Sequence, residues 1–297
     1  MQTPLQPPQF GYFLPPAAGN YPALRTQAQL VEQLGLELIG IQDHPYQGAF
    51  LDTWTLLTAL ALDTDRIRFF PDVINLPLRP PVMLAKAVAS LDELTGGRIE
   101  LGLGAGYFWD GIHAMGGPRR EPGEAVDALT EAVHILRLFW RGKRNVYFDG
   151  EHYQLRGVNP GPLPTHPIGI WLGAIQSRML SLTGTLCDGW VPSSPYVPPT
   201  QLLPKHRQID EAAVAAGRDP AAIRRIYNLM GTITDSATDD YLEGPTTYWV
   251  DELTRLALDC RMDTFIFAPK EASERQIRRF GEEVVPQVRE NLAKAGN

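Results

Sequence analysis

Two neighbouring residues, Asp43 and His44, end an apolar stretch in the sequence LELIGIQDHP. An imidazole can accept or donate a substrate proton near neutral pH, so His44 is a candidate general acid or base. The alternative is a loop histidine that satisfies Asp43, and these residues alone leave both interpretations open.

A second irregular stretch, FFPDVIN at 69–75, places Pro71 and Asp72 inside an apolar run. Proline cannot donate a hydrogen bond to a neighbouring strand, and bulges and unusual peptides are frequent beside active sites. The stretch predicts a bulge or an irregular peptide at Asp72-Val73, and the alternative is an early end of the strand.

Glycines and aromatic residues follow a third apolar stretch, in the sequence GLGAGYFWDG at 102–111. Glycine lets a ligand approach the backbone closely, although the segment lacks the full GxGxxG dinucleotide signature. Tyr107, Phe108 and Trp109 then form either an aromatic pocket wall or a loop packed over the mouth of the fold.

A fourth candidate is WLGAIQSR at 171–178, where Gly173 and Ala174 precede a helix predicted to begin near Gln176 or Ser177. Free backbone amides at the start of a helix can hold a phosphate, and Arg178 adds a cation. The alternative is an ordinary turn between a strand and a helix.

All four segments lie at the end of a predicted strand in a regular alternation of strands and helices. Eight such units without a break in composition predict a parallel (β/α)8 TIM barrel, and a doubly wound open sheet is the alternative. In a barrel, ligand-binding residues lie where the strands end. The predicted strands are 10–15, 36–42, 66–75, 98–106, 168–174, 188–193, 225–233 and 263–269, with helices at 24–34, 52–64, 80–97, 121–140, 176–187, 199–217, 246–260 and 273–292.

The chain is expected to form a single domain over residues 1–297, with three insertions in the barrel. One insertion follows strand 4 and a short one follows strand 7. The third follows helix 4, where 145–155 reads as a β-hairpin with Asp149-Gly150 as a two-residue turn.

Composition narrows the kind of partner. There are 27 basic and 34 acidic residues, for a net charge of −7, which favours a small-molecule partner over nucleic acid or an anionic membrane.

Two cysteines without a CxxC spacing indicate neither a disulfide framework nor a thiolate metal site, and they suit the cytoplasm. No leader or membrane-spanning stretch is visible, and the absence of HExxH and GxSxG motifs disfavours zinc and serine hydrolases, so no metal is expected.

Taken together, these segments resemble the bacterial luciferase-like monooxygenase superfamily over nearly the whole chain. The similar blocks, in the family's order, are IGIQDHP, LPLRPPVMLAKAVASLDELTGGRIELGLGAG, GGPRREPGEAVDALTEAVHILRLFW and IWLGAIQSRMLSLTGTLCDGWVPS. The resemblance implies a barrel that binds FMN or the deazaflavin coenzyme F420 at the carboxyl ends of its strands.

The resemblance also implies roles for individual residues. His44 is implied to be catalytic beside the cofactor ring, with Asp43 next to it, and Asp72-Val73 to be a non-proline cis peptide that supports the ring. The remaining implied cofactor-binding residues are Ala105, Gly106 and Tyr107 at the ring and Gly173, Ala174 and Ser177 at the phosphate. Arg178 is a further candidate at the phosphate by its position alone.

Finally, the details of the resemblance favour one chemistry. The Asp-His-Pro ending is similar to that of deazaflavin enzymes, which favours F420 over FMN. Tyr107 and Gly48 stand where F420-dependent glucose-6-phosphate dehydrogenases have glutamate and tryptophan, which disfavours sugar-phosphate oxidation. We therefore expect F420-dependent hydride transfer to or from a small organic substrate, in a homodimer. The alternatives are a reduced-FMN-dependent monooxygenase that uses O2 and a noncatalytic flavin-binding protein.

Overall fold

The computed structural model describes residues 6–295. The expectation that the chain has no leader rests partly on the first five residues, which lie outside the described residues. The strands are β1 Gln9–Phe13, β2 Leu38–Ile41, β3 Arg68–Pro71, β4 Ile74–Asn75, β5 Leu101–Gly104, β6 Val146–Asp149, β7 Gln154–Val158, β8 Ile170–Leu172, β9 Gly189–Trp190, β10 Arg224–Ile233, β11 Glu243–Gly244 and β12 Thr264–Pro269. The helices are α1 Tyr21–Gln33, α2 Thr53–Leu62, α3 Pro81–Thr95, α4 Trp109–Ala114, α5 Pro122–Trp140, α6 Ser177–Leu186, α7 Leu202–Ala215, α8 Thr246–Leu258, α9 Glu274–Arg278 and α10 Val285–Ala295.

Parallel pairing closes these strands into a barrel. The order is β3-β2-β1-β12-β10-β9-β8-β5-β4, and β3 and β4 are the two halves of one strand, separated by a cis peptide at Asp72-Val73. The first and last strands in this order, β3 and β4, therefore belong to one interrupted strand, which closes the barrel. A further parallel bridge joins Phe69 of β3 to Ile99, just before β5. The predicted (β/α)8 barrel and the predicted irregular peptide are both confirmed.

Local sequence signals explain where the helices begin and end. The Asp52 carboxylate accepts a hydrogen bond from the backbone N–H of Thr55 at 2.9 Å and caps α2. Glu121 and Glu124 form a reciprocal capping box at the start of α5. Gly35 and Gly96, with φ values of 72° and 68°, adopt the left-handed conformation just after α1 and at the end of α3.

The barrel interior is filled by its own cluster of apolar side chains, separate from the larger core between strands and helices. Phe70 and Trp171 meet edge to face at 5.0 Å between ring centroids. This plug closes the centre of the barrel, so a ligand can enter only above it. The other buried members are Leu38, Val191, Ile226 and Ile266.

The insertions follow the prediction except in one turn. Helix α4 lies after β5, the β6-β7 hairpin follows α5, and β11 lies in the insertion after β10. The predicted two-residue turn is wrong, because Asp149 pairs with Gln154 and a four-residue loop connects the strands. The Glu131 carboxylate accepts hydrogen bonds from the backbone N–H groups of 151–153, which holds this longer loop.

The last helical segment departs from a regular helix. A π-helical turn, Arg279–Val284, separates α9 from α10. Pro286 follows this turn and has no backbone N–H to donate. Among residues 6–295, no helix is long and apolar enough to cross a membrane.

Candidate active site

Asp43 anchors the loop that follows β2. Its buried carboxylate accepts hydrogen bonds from Arg79 Nε at 3.0 Å and Nη2 at 2.7 Å, and from the backbone N–H of Asn75 at 3.0 Å. Arg79 also pairs with Asp52, at the start of α2. Asp43 thus joins the end of β2 to β4 and to the turn before α3, and it is satisfied without His44.

His44 follows this anchor in the loop after β2, at the open end of the barrel, and it is exposed. Its ring stacks on Tyr46 with 5.5 Å between centroids. Partial burial lowers the pKa of the imidazole below its usual value, and the Asp43 carboxylate opposes this shift. The neutral imidazole is therefore the main form at pH 7, which suits a proton acceptor.

Asp72 lies at the break between β3 and β4 and is only 9% exposed. Asn228 Nδ2 donates to Asp72 Oδ1 at 3.1 Å and is also 3.2 Å from Ser193 Oγ. Burial raises the pKa of Asp72 to about 7, and the hydrogen bond from Asn228 opposes this shift. Asp72 Oδ2 and Asn228 Oδ1 are buried without a hydrogen-bond partner. This polar pair lies where β3 and β10 reach the mouth.

Val73 forms part of the floor of the barrel mouth. Its side chain fits there because the neighbouring residues Gly104 and Gly173 have no side chains. A Cβ atom on Gly104 would lie 2.9 Å from Val73 Cγ2, and one on Gly173 would lie 3.3 Å from the same atom. Side chains at these two positions would displace Val73. The ends of β5 and β8 therefore leave a low surface around Val73, on which a flat ring can rest.

The loop after β5 gives the mouth an aromatic rim. Gly106 has a φ of 100°, and a Cβ there would lie 2.8 Å from Pro77 Cγ, so both conformation and space require glycine. Ala105 and Gly106 are half-buried, whereas Tyr107 is 86% exposed. Tyr107 is thus free to contact a bound molecule.

The start of α6 offers backbone donors at the same face. Its first residue, Ser177, is exposed, and no side chain caps the helix. Arg178 is paired with Asp127 at 2.6 Å, but both side chains are more than half exposed. Such an exposed pair is weak, so Arg178 can turn to an anion. Gly173 and the buried Ala174 bring the chain from β8 to this helix.

The predicted site residues thus gather at the carboxyl ends of β2, β3, β4, β5 and β8. Sequence reasoning missed four neighbours: Tyr46, Arg79, Ser193 and Asn228. A signal for Asn228 was present, since it is a polar residue inside the apolar strand RIYNLMGTI. Arg79 carried no such signal, because it is distant in sequence from Asp43.

A sequence profile of the luciferase-like monooxygenase family matches residues 8–251. The chain belongs to this family. It is 32% identical over 199 residues to a 5,10-methylenetetrahydromethanopterin reductase of Archaeoglobus fulgidus, covering 67% of this chain and 57% of the relative. It is 29% identical over 221 residues to an F420-dependent hydroxymycolic acid dehydrogenase of Mycobacterium tuberculosis, covering 71% of this chain and 59% of the relative. A pyrimidine monooxygenase of Bradyrhizobium is 26% identical over 77% of this chain and 66% of its own length.

This family contains enzymes of both expected chemistries. The chain spans 48% of the length of the first curated relatives it matches and 57–66% of the three relatives named above. Among solved structures, an F420-dependent secondary alcohol dehydrogenase in complex with an F420-acetone adduct superposes with a TM-score of 0.84 at 18% identity, covering 95% of this chain and 99% of the other. That likeness confirms the fold.

Proposed function

We propose that this protein is an F420-dependent oxidoreductase that transfers a hydride to or from a small organic substrate. The observation that carries the proposal is the position of His44, an exposed imidazole in the loop after β2, at the same end of the barrel as the Asp72-Val73 peptide. The F420-dependent relatives and the Asp-His-Pro sequence support the choice of cofactor.

The residues at the mouth fit a flat ring joined to a phosphate. Val73, Ala105, Gly106 and Tyr107 would contact the ring, and the amides of α6 with Ser177 and Arg178 would hold the phosphate. Asp43 would act through the loop that it anchors rather than by contact, because its carboxylate is already satisfied. When bound, the deazaflavin supplies a hydride acceptor or donor.

His44 would accept or donate the proton that accompanies hydride transfer. When an alcohol is oxidised, the neutral imidazole accepts the hydroxyl proton as the carbon loses hydride. When a carbonyl is reduced, the imidazolium returns a proton to the oxygen. Because the pKa of His44 is lowered, alcohol oxidation should proceed at neutral pH and should fall as the pH drops below that pKa.

Replacement of His44 by alanine tests this role. General acid–base groups contribute about 10²–10⁴-fold, so kcat should fall by that factor while F420 still binds. The assay follows F420 absorbance with a panel of secondary alcohols and ketones. Undiminished kcat in His44→Ala would contradict the proton role, and lost F420 binding would assign His44 to cofactor binding instead.

A reduced-FMN-dependent monooxygenase is the second candidate. The Bradyrhizobium pyrimidine monooxygenase matches more of this chain than the F420-dependent dehydrogenase does. The floor and the α6 amides would also fit FMN, whose ring and phosphate have the same general arrangement. Oxygen consumption with reduced FMN and a substrate panel separates this candidate from the first and from a noncatalytic flavin-binding protein.

The proposal extends to domain organisation, oligomeric state, location and partners. We infer a single domain over 1–297, a homodimer and a cytoplasmic location, with no nucleic-acid partner. The net charge of −7 supports the last point. Cys187 and Cys260 are both buried and free, which fits a reducing compartment. Light scattering on the purified protein tests the dimer.

A further inference from the structure

Three aromatic rings follow one another at the barrel mouth. The His44 imidazole stacks on the Tyr46 ring at 5.5 Å with 18° between planes. Tyr46 in turn meets Phe108 edge to face at 5.1 Å. The stack, defined as His44, Tyr46 and Phe108, connects the loop after β2 to the residue before α4.

Hydrogen bonds from the described part of the chain do not fix the His44 ring. Neither ring nitrogen makes a hydrogen bond to residues 6–295, and the neighbouring Asp43 carboxylate is engaged by Arg79 and Asn75. A general acid or base must lie within hydrogen-bond reach of the proton that it moves. The stacked Tyr46 ring is the aromatic contact that can set the direction of the imidazole.

Tyr46 is itself packed against the start of α4. A Cβ atom on Gly111 would lie 2.5 Å from Phe108 Cδ1 and 2.8 Å from Tyr46 Cγ. The missing side chain of Gly111 lets α4 pack directly against both rings. This close packing fixes Tyr46 more firmly than an exposed loop residue would be fixed alone.

We propose that Tyr46 is a positioning residue that orients the His44 imidazole by ring stacking, with Phe108 and Gly111 holding Tyr46 in place. The ring rather than the hydroxyl performs this task, since the Tyr46 hydroxyl makes no hydrogen bond to the described residues. The functional consequence rests on the proposed role of His44, but the contact itself can be tested without cofactor or substrate.

Histidine side-chain NMR of the cofactor-free protein tests the contact. The chain has 6 histidines, so the His44 signals can be assigned by substitution. Stacking on Tyr46 should displace the His44 ring-proton resonances. Tyr46→Phe should retain that displacement, and Tyr46→Leu should abolish it. Tyr147→Leu, an exposed tyrosine on β6, is the matched control and should leave the His44 signals unchanged.

Gly111→Ala addresses the same stack without altering Tyr46 or His44. Its added methyl group should displace Phe108 and Tyr46, and so shift the His44 signals as Tyr46→Leu does. The proposal is overturned if Tyr46→Leu and Gly111→Ala leave those signals at their wild-type positions. It is also overturned if Tyr46→Phe loses the displacement as fully as Tyr46→Leu does.

Turnover then measures the consequence. A misplacement of about 1 Å can cost about 10²-fold in rate, so Tyr46→Leu should lose about 10²-fold in kcat with unchanged F420 affinity, and Tyr46→Phe should restore kcat. A wild-type kcat in Tyr46→Leu contradicts the positioning role. If wild-type protein shows no F420 turnover but the NMR results are as expected, the proposed function fails and the positioning of His44 by Tyr46 stands.

Discussion

Asp43 and His44 are adjacent in sequence and differ completely in environment. The Asp43 side chain is fully buried against Arg79, whereas His44 is exposed at the mouth. A buried carboxylate is stable only when it is paired, so Arg79 determines whether the loop that carries His44 keeps its place.

Replacement of Arg79 by alanine should therefore destabilise the protein strongly. Removing one partner of a buried ion pair costs about 3–5 kcal/mol, because the other charge is left without compensation. The free energy of unfolding in denaturant measures this. Arg119→Ala is the matched control, since Arg119 and Asp110 form an exposed pair that should contribute about 0–1 kcal/mol. Equal effects of the two substitutions would refute the anchoring role of Arg79.

At the scale of elements, the floor of the mouth depends on strands that end in small residues. Val73 has room because β5 ends at Gly104 and because Gly173 follows β8. The floor is thus shared by three barrel strands, and a substitution in one of them should alter the position of Val73 at the centre of the site.

Gly104→Ala should impair cofactor binding through Val73. The added Cβ would lie 2.9 Å from Val73 Cγ2, and overpacking of this kind costs about 1–3 kcal/mol. If the strain is relieved by moving Val73, cofactor affinity should fall by about tenfold or more. Gly48→Ala is the control, because a Cβ there meets nothing within 4 Å. Fluorescence titration compares the two, and unchanged affinity in Gly104→Ala would show that Val73 does not support the cofactor.

The elements also show what the sequence could predict. Hydrophobic alternation predicted the eight barrel strands, and the proline and aspartate of FFPDVIN predicted the irregular peptide. The hairpin turn was wrong because Glu131, distant in sequence, binds the loop amides. The stacking of Tyr46 on His44 also could not be predicted from the sequence, since it depends on the packing of α4. Local patterns gave the elements and strand ends; contacts between elements did not follow from them.

At the scale of the whole molecule, the opposite end of the barrel carries charged groups that serve stability. His166 Nδ1 lies 2.9 Å from Asp92 Oδ1, and its Nε2 lies 3.5 Å from Glu100 Oε1. Asp92 and then Glu100 raise the pKa of His166 to about 9, against the effect of burial. Glu100 also pairs with Arg68, at the start of β3.

These contacts predict a pH-dependent stability. Because the folded-state pKa of His166 exceeds its usual value, the stabilisation is fully present below about pH 6.5 and is lost as the pH rises through about 9. His166→Gln should cost about 1–3 kcal/mol at pH 6, with the deficit narrowing toward pH 10. Denaturant unfolding at several pH values measures the difference. His134→Gln, an exposed histidine on α5, should keep the wild-type profile; a constant His166→Gln deficit across this range would contradict the assignment.

The central claim is that the barrel mouth holds F420 and uses it for hydride transfer, and titration of the purified apoprotein with F420 and FMN, each oxidised and reduced, tests it most directly. The floor around Val73 and the amides of α6 would accept either cofactor, so the comparison isolates the preference. We expect F420 to bind about tenfold more tightly than FMN or better, a difference of about 1.4 kcal/mol. FMN binding without measurable F420 binding would contradict the claim and would favour the oxygen-using monooxygenase.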